Sequence, residues 1–178
     1  MLLNRQRRVR VALPPLAKFL ERVRELLGLA GRELTVCLLS DAEMARLNQR
    51  FRGKRGPTDV LSFPADGRGM KKTSRRKQPK HRKSGQRRQA TAGSLAHGLS
   101  GFPSVSFASS ASLVPAGDIA IAAETARRNA RRFSRTLNQE LRILILHGAL
   151  HLAGYDHETD HGQMNRLEGR LRRRLGLA

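Results

Sequence analysis

Cysteine is nearly absent from this chain: Cys37 stands alone among 178 residues. A lone cysteine excludes an internal disulfide and a cysteine-built metal site. It fits a reducing compartment, the cytoplasm by default. Long apolar runs are missing too. No stretch approaches the ~18–20 residues of a membrane span. The opening MLLNRQRRVRVALPP lacks the apolar segment of a secretory signal. No membrane partner is expected. Acidic residues are also scarce, 14 against 35 lysines and arginines, for a net charge of +21. Such an excess suggests a polyanion, most often nucleic acid. Solubility alone is the plainer explanation of the charge.

What is present divides unevenly. Between positions 65 and 116 there are eleven basic residues and a single acid, Asp66. The stretch MKKTSRRKQPKHRKSGQRRQ has no apolar residue after Met70. It has nothing to bury against its ordering entropy and reads as disordered. The Ser/Ala/Gly-rich run that follows, ATAGSLAHGLSGFPSVSFASSASLVP, reads as a flexible return linker with at most a short strand at VSF. The chain is therefore expected to form one domain, 1–178, interrupted by an insertion at about 66–115.

The remaining segments alternate in type. RRVRVAL at 7–13 has period 2 and predicts an edge strand. Pro14 and Pro15 open a helix whose apolar residues, Leu16, Phe19, Leu20, Val23, Leu26 and Leu27, recur at three and four. A buried strand is predicted at 33–40, then a helix from Asp41 to about Phe51 capped by Ser40 or Asp41. Further strands are predicted at 59–63 and 117–122, and a helix from Ala123 to about Phe133. Thr136 and Gln139 fit a capping box ahead of an apolar helix from Leu137 to about Ala153. Met164, Leu167, Leu171 and Leu175 mark a last amphipathic helix. The order βαβαββααα predicts an α/β (α+β) fold with a small sheet.

The sharpest signal is His147-Gly-Ala-Leu-His151-Leu-Ala-Gly-Tyr-Asp-His157. Two histidines four apart on a helix present both imidazoles on one face, a turn apart. Gly154 stands where a left-handed residue would end that helix and let the chain bring His157 back. Three imidazoles with an open fourth position make a catalytic-type zinc site holding one Zn2+ ion. The spacing H-x3-H-x2-G-x2-H is the ligand part of the metzincin pattern. In zinc peptidases, however, the residue after the first histidine is the glutamate that serves as general base. Here it is Gly148. The spacing argues for a metal and the glycine argues against peptide hydrolysis. A zinc-bound water or hydroxide attacking a phosphodiester remains open to such a site. His161 is an alternative ligand, or a solvated residue of the last helix.

Upstream, LNQRFRGKRGPTDVLSFP at 47–64 is a helix end, a basic glycine-rich turn and a strand. With GDIAIA at 117–122 and HGALHLAGYDH at 147–157, in that order, the chain resembles the YbeY family of bacterial rRNA-maturation endoribonucleases. The resemblance covers about 7–64 and 117–177. It implies a single compact domain in which a small, mostly parallel four-stranded sheet packs with helices and the penultimate helix carries the zinc-binding histidines. It implies a single-strand-specific, metal-dependent endoribonuclease acting in 16S rRNA 3′-end maturation and ribosome quality control. Its partners would be single-stranded RNA, rRNA and the small ribosomal subunit. On it, His147, His151 and His157 are the zinc ligands and Arg52 is the functional arginine. The chain departs from the family at Phe51, where tyrosine is usual, at Arg55, where an acid is common, at Ala116, where leucine is frequent, and in its long connection from Pro64 to Gly117.

Other residues are weighed beside these. Arg52 suits a developing negative charge through its forked donors. Lys54 is a candidate substrate contact, with a solvated turn as the alternative. Asp156 or Asp59 could orient a ligand imidazole, and Asp59 could equally cap a strand. Ser62 and Thr58 could donate to phosphate or serve turn and strand. Two other functions remain: a noncatalytic ribosome-assembly factor with structural zinc, and a zinc peptidase.

Overall fold

A computed structural model of the chain describes residues 1–66, 114–157 and 159–177. The expected insertion, 66–115, lies almost wholly outside the described residues, as do the short strand considered at VSF and both His81 and His97.

The elements run β1 (Leu2–Asn4), α1 (Leu13–Leu26), β2 (Arg32–Leu39), α2 (Asp41–Arg52), β3 (Val60–Pro64), β4 (Val114–Ala122), α3 (Ala123–Arg132), α4 (Leu137–Leu152) and α5 (Gln163–Arg174). The sheet order is β1-β2-β4-β3. β1 and β4 both run parallel to β2, and β3 closes the sheet antiparallel to β4. The mixed α/β class and mostly parallel four-stranded sheet match the sequence expectation.

Two elements differ in detail. The period-2 segment 7–13 forms no strand; the edge strand is Leu2–Asn4, pairing Leu3 with Cys37. The reason is local. Gln6 is buried, its Oε1 accepts from the Val9 backbone N–H at 2.8 Å, and its Nε2 donates to the Val9 carbonyl at 2.9 Å. That side chain satisfies the backbone groups a strand ladder would otherwise take. β4 also begins at Val114, ahead of the expected Gly117, by pairing Arg32 with Val114.

Strand alternation divides the core between the two sheet faces. Leu34, Val36 and Leu38 of β2, with Ile119 and Ile121 of β4, pack with α1, α4 and α5 in the larger cluster. Leu39, Ala120, Ala122, Leu61 and Phe63 face the other way, onto Met44 of α2. Helix starts follow their caps. Ser40 and Glu43 form a reciprocal capping box on α2, and Thr136 and Gln139 form another on α4. No helix among the described residues is long and apolar enough to cross a membrane.

Candidate metal and RNA-cleavage site

α4 is the apolar centre of the fold. Leu141, Ile145, Leu146, Ala149 and Leu150 are buried, so the helix has little rotational freedom. That fixes the direction in which His147 and His151 project. Their rings lie 4.9 Å apart, centroid to centroid.

The helix then ends in a Schellman motif. The N–H of Gly154 donates to His151 O at 3.0 Å, and the N–H of Tyr155 donates to Leu150 O at 3.1 Å. Gly154 has φ +95°, a conformation costly for a side-chain-bearing residue. The turn returns His157 to 5.5 Å from the His147 ring and 5.2 Å from the His151 ring. One ligand nitrogen from each of the three histidines lies within 4.8 Å of the others. His161 stays outside this group, exposed, with φ +51°.

The electrostatics favour ligation. Burial first, then the positive charge that protonated His147 and His157 would carry, lowers the His151 pKa below its ordinary 6.5. The neutral imidazole, the form that binds a metal, is thereby favoured. His147 Nδ1 lies 3.1 Å from Glu168 Oε2. Glu168 is only 6% exposed, and its other oxygen accepts from Arg172. Burial works against its ionisation, but the hydrogen bond and charge of His147 and the guanidinium of Arg172 hold its carboxyl below the ordinary value. An ionised carboxylate on Nδ1–H leaves Nε2 as the lone-pair nitrogen, the arrangement found behind metal-bound histidines. The donor set therefore fits a divalent metal.

Glu168 has a sequence signal of its own, outside the histidine motif. It falls on the apolar stripe of α5, four after Met164 and three before Leu171, both buried. A carboxylate on a core-facing stripe needs a partner.

The remaining candidates are dispersed. Asp59 accepts from Val60 N at 2.9 Å and from Thr58 Oγ1 at 3.2 Å, so it caps the start of β3. Asn129 Nδ2 reaches its second oxygen at 3.5 Å. Ser62 Oγ donates to Gly148 O at 3.3 Å and joins β3 to α4 beside His147. Asp156 is half-buried, and its charge acts on His151 to raise its pKa. Arg52 ends α2 and Lys54 follows in the turn, both exposed. That turn is held by buried Asn48, whose Nδ2 donates to Gly56 O at 2.9 Å. No hydrogen bond or ion pair joins Arg52 or Lys54 to the histidines among the described residues. Cys37 offers no competing nucleophile, because burial pushes its thiol up to about 11.

Gly148 acquires a second meaning here. It is buried, and a Cβ at this position would lie 2.8 Å from Ile119 Cγ2 and 3.0 Å from Cδ1. The place of a peptidase's catalytic glutamate is thus pressed onto β4. Any side chain here would have to displace Ile119, and position 148 offers no carboxylate to activate water against an amide.

Comparisons with known proteins agree with this geometry. The family model described as "Endoribonuclease YbeY" matches residues 3–176. The Endoribonuclease YbeY of Koribacter versatilis is 35% identical over 177 residues, 99% of this chain and 86% of that protein. That of Solibacter usitatus is 34% identical over 164 residues, 92% of this chain and 80% of its own. The solution structure of TM1509 from Thermotoga maritima is similar with a TM-score of 0.52, at 25% identity, covering 96% of this chain and 85% of that one. A histidine triad on a helix end, a glycine in place of the peptidase base and a match along almost the whole sequence lead to one conclusion: the chain belongs to the YbeY family of endoribonucleases, hydrolases that act on RNA.

Proposed function

We propose that this protein is a single-strand-specific endoribonuclease of 16S rRNA 3′-end maturation and late ribosome quality control. It would work in the cytoplasm on the small ribosomal subunit, with one Zn2+ ion per chain. The observation that carries the catalytic part is the convergence of His147, His151 and His157 within 4.8 Å. Three imidazoles favour zinc among the common divalent ions. Zinc bound there supplies Lewis-acid polarisation of a phosphoryl oxygen and acidification of water.

The chain's own residues supply the rest. His147, His151 and His157 hold the ion, and Glu168 keeps the Nδ1 proton of His147 in place. Arg52 carries its guanidinium on an exposed helix end next to a turn pinned by Asn48. There it pairs with the negative charge that grows on the phosphoryl oxygens. Lys54 and the other cations of the turn attract the RNA backbone. Asp156 acts on His151 through its charge, and Asp59 serves the site indirectly by fixing the start of β3. The domain boundaries proposed are 1–178, with the basic insertion at about 66–115 as an appendage to the catalytic body.

The test measures bound zinc and cleavage of a single-stranded RNA by wild type, His151→Ala and Arg52→Ala. His151→Ala should lose zinc and cleavage together. Arg52→Ala should keep zinc and lose most of its turnover. Undiminished cleavage by His151→Ala would sink the metal-dependent reading.

A further inference from the structure

The chain has no tryptophan, one tyrosine and six phenylalanines. Four of those phenylalanines fall among the described residues. Phe19 and Phe63 are buried, and Phe51 packs edge-on against Phe63 at 5.0 Å. Phe133 is the exception, 51% exposed at the end of α3. A single exposed apolar side chain is ordinary on a folded domain; what sets Phe133 apart is its setting.

Its surroundings are built. The N–H of Ser134 donates to Arg131 O and that of Arg135 donates to Ala130 O, closing a Schellman motif with Ser134 at φ +53°. This turn brings the Arg135 guanidinium to 5.2 Å from the Phe133 ring centre, while Arg132 approaches from its own helix at 5.6 Å. Both are within cation–π range. Arg135 is anchored from beneath: Glu140, 3% exposed, accepts from its Nη1 at 3.0 Å. Arg135 is the hydrogen-bonding partner seen for that buried carboxylate among the described residues. Arg127, Arg131 and Arg132 form no ion pair among the described residues.

From this we infer that Phe133, flanked by Arg132 and Arg135, is a stacking platform for one base of single-stranded RNA, separate from the histidine centre. The chemistry selects the occupant. Arg132 and Arg135 lie over the ring, so a base stacks on the area they leave open or on a guanidinium plane, and the neighbouring cations Arg127 and Arg131 take the adjoining phosphates. A partner protein would need an extended apolar patch, and Phe133 is an isolated ring in a basic surface. The helix that carries Phe133 is tied to the strand beside the histidine centre. Asn129, one turn before Phe133, contacts Asp59 at the head of β3, and Ser62 of β3 holds Gly148 beside His147. The inference takes its occupant, RNA, from the function proposed above, but needs nothing of the metal chemistry.

The experiment measures binding of oligo(U) to the full chain in the presence of a chelator, so that no strand is cut, at raised salt to suppress contacts made by charge alone. Phe133→Ala should weaken binding about tenfold, and Phe133→Tyr should restore it. Phe133→Trp creates a unique fluorophore whose emission should be quenched by oligo(U) but not by inorganic polyphosphate. Unchanged affinity in Phe133→Ala, or equal quenching by polyphosphate, would overturn the platform. Cleavage by the zinc-loaded wild type is read separately. Its absence would overturn the proposed enzyme and leave the binding result standing.

Discussion

Gly148→Ala offers a sign test of the claim that α4 is pressed onto the sheet. In an exposed helix interior, replacing glycine by alanine stabilises by about 1 kcal/mol through backbone entropy. Here the added Cβ would meet Ile119 Cγ2 at 2.8 Å, Cδ1 at 3.0 Å and Cγ1 at 3.2 Å. Ile119 is fully buried and β-branched on a central strand, so it has no open direction in which to move. Overpacking of this kind costs about 1–3 kcal/mol. The contact therefore outweighs the propensity gain by about 1 kcal/mol. The expected result is a melting temperature a few degrees below wild type, where an unpacked glycine would have given a rise. The position also adjoins His147, so zinc affinity should fall with it. Ile119→Ala removes all three clashing atoms. Alone it should cost about 2–5 kcal/mol. Combined with Gly148→Ala it should cost less than the sum, because the new methyl group occupies part of the vacated space. Thermal and urea unfolding of the four proteins of the cycle supply the numbers. A raised melting temperature for Gly148→Ala, with additive behaviour in the double variant, would refute the packing account and with it the steric explanation for the missing carboxylate.

Two further predictions concern the histidines. Glu168→Gln retains shape but loses the charge behind His147, and zinc affinity measured against a competing chelator should drop about 10- to 100-fold; equal affinity would mean that the 3.1 Å contact does not orient the ligand. In the metal-free protein, the lowered His151 pKa means that the folded state binds fewer protons than the unfolded state just below pH 6.5. Stability should be full above that value and decline as pH falls from it. The urea midpoint should thus be lower at about pH 5.5 than at about pH 7.5, with a smaller difference in His151→Gln. Glu168 does not contribute in that window, because its contribution is lost only below the ordinary carboxylate value.

Much of the fold could be read from local chemistry. Both capping boxes, at Ser40 and Thr136, use side chains within three residues of each other, and such signals survive in sequence. The alternation of β2 survives for the same reason: one face is buried against α1 and α4, the other against α2. The first strand departs from its periodicity because of one side-chain contact. RRVRVAL has the better alternation, yet Leu2–Asn4 takes the sheet edge, with Met1 O accepting from Val36 N at 2.8 Å. Gln6 decides this by closing a turn on Val9, and no periodicity rule weighs one glutamine against a ladder.

The site shows the same division more sharply. The three histidines are within eleven residues, and their geometry follows from helix pitch plus one left-handed glycine. Glu168 lies twenty-one positions away from His147 in sequence and meets it only because α5 packs back along α4. Gly148 combines both kinds of information. By sequence it is an absence, the glutamate that a zinc peptidase would need. By structure it is a requirement of packing, since the turn that aims His147 and His151 outward aims position 148 at Ile119. A helix seated this closely on its sheet cannot carry a general base after its first ligand. Any water-activating group must then come from another element or from the substrate's own surroundings. The exposed cations around Arg52 suit a substrate that is already anionic. Gly148 thus has two consequences: it lets α4 sit close on β4, and it leaves the position after the first histidine without a carboxylate.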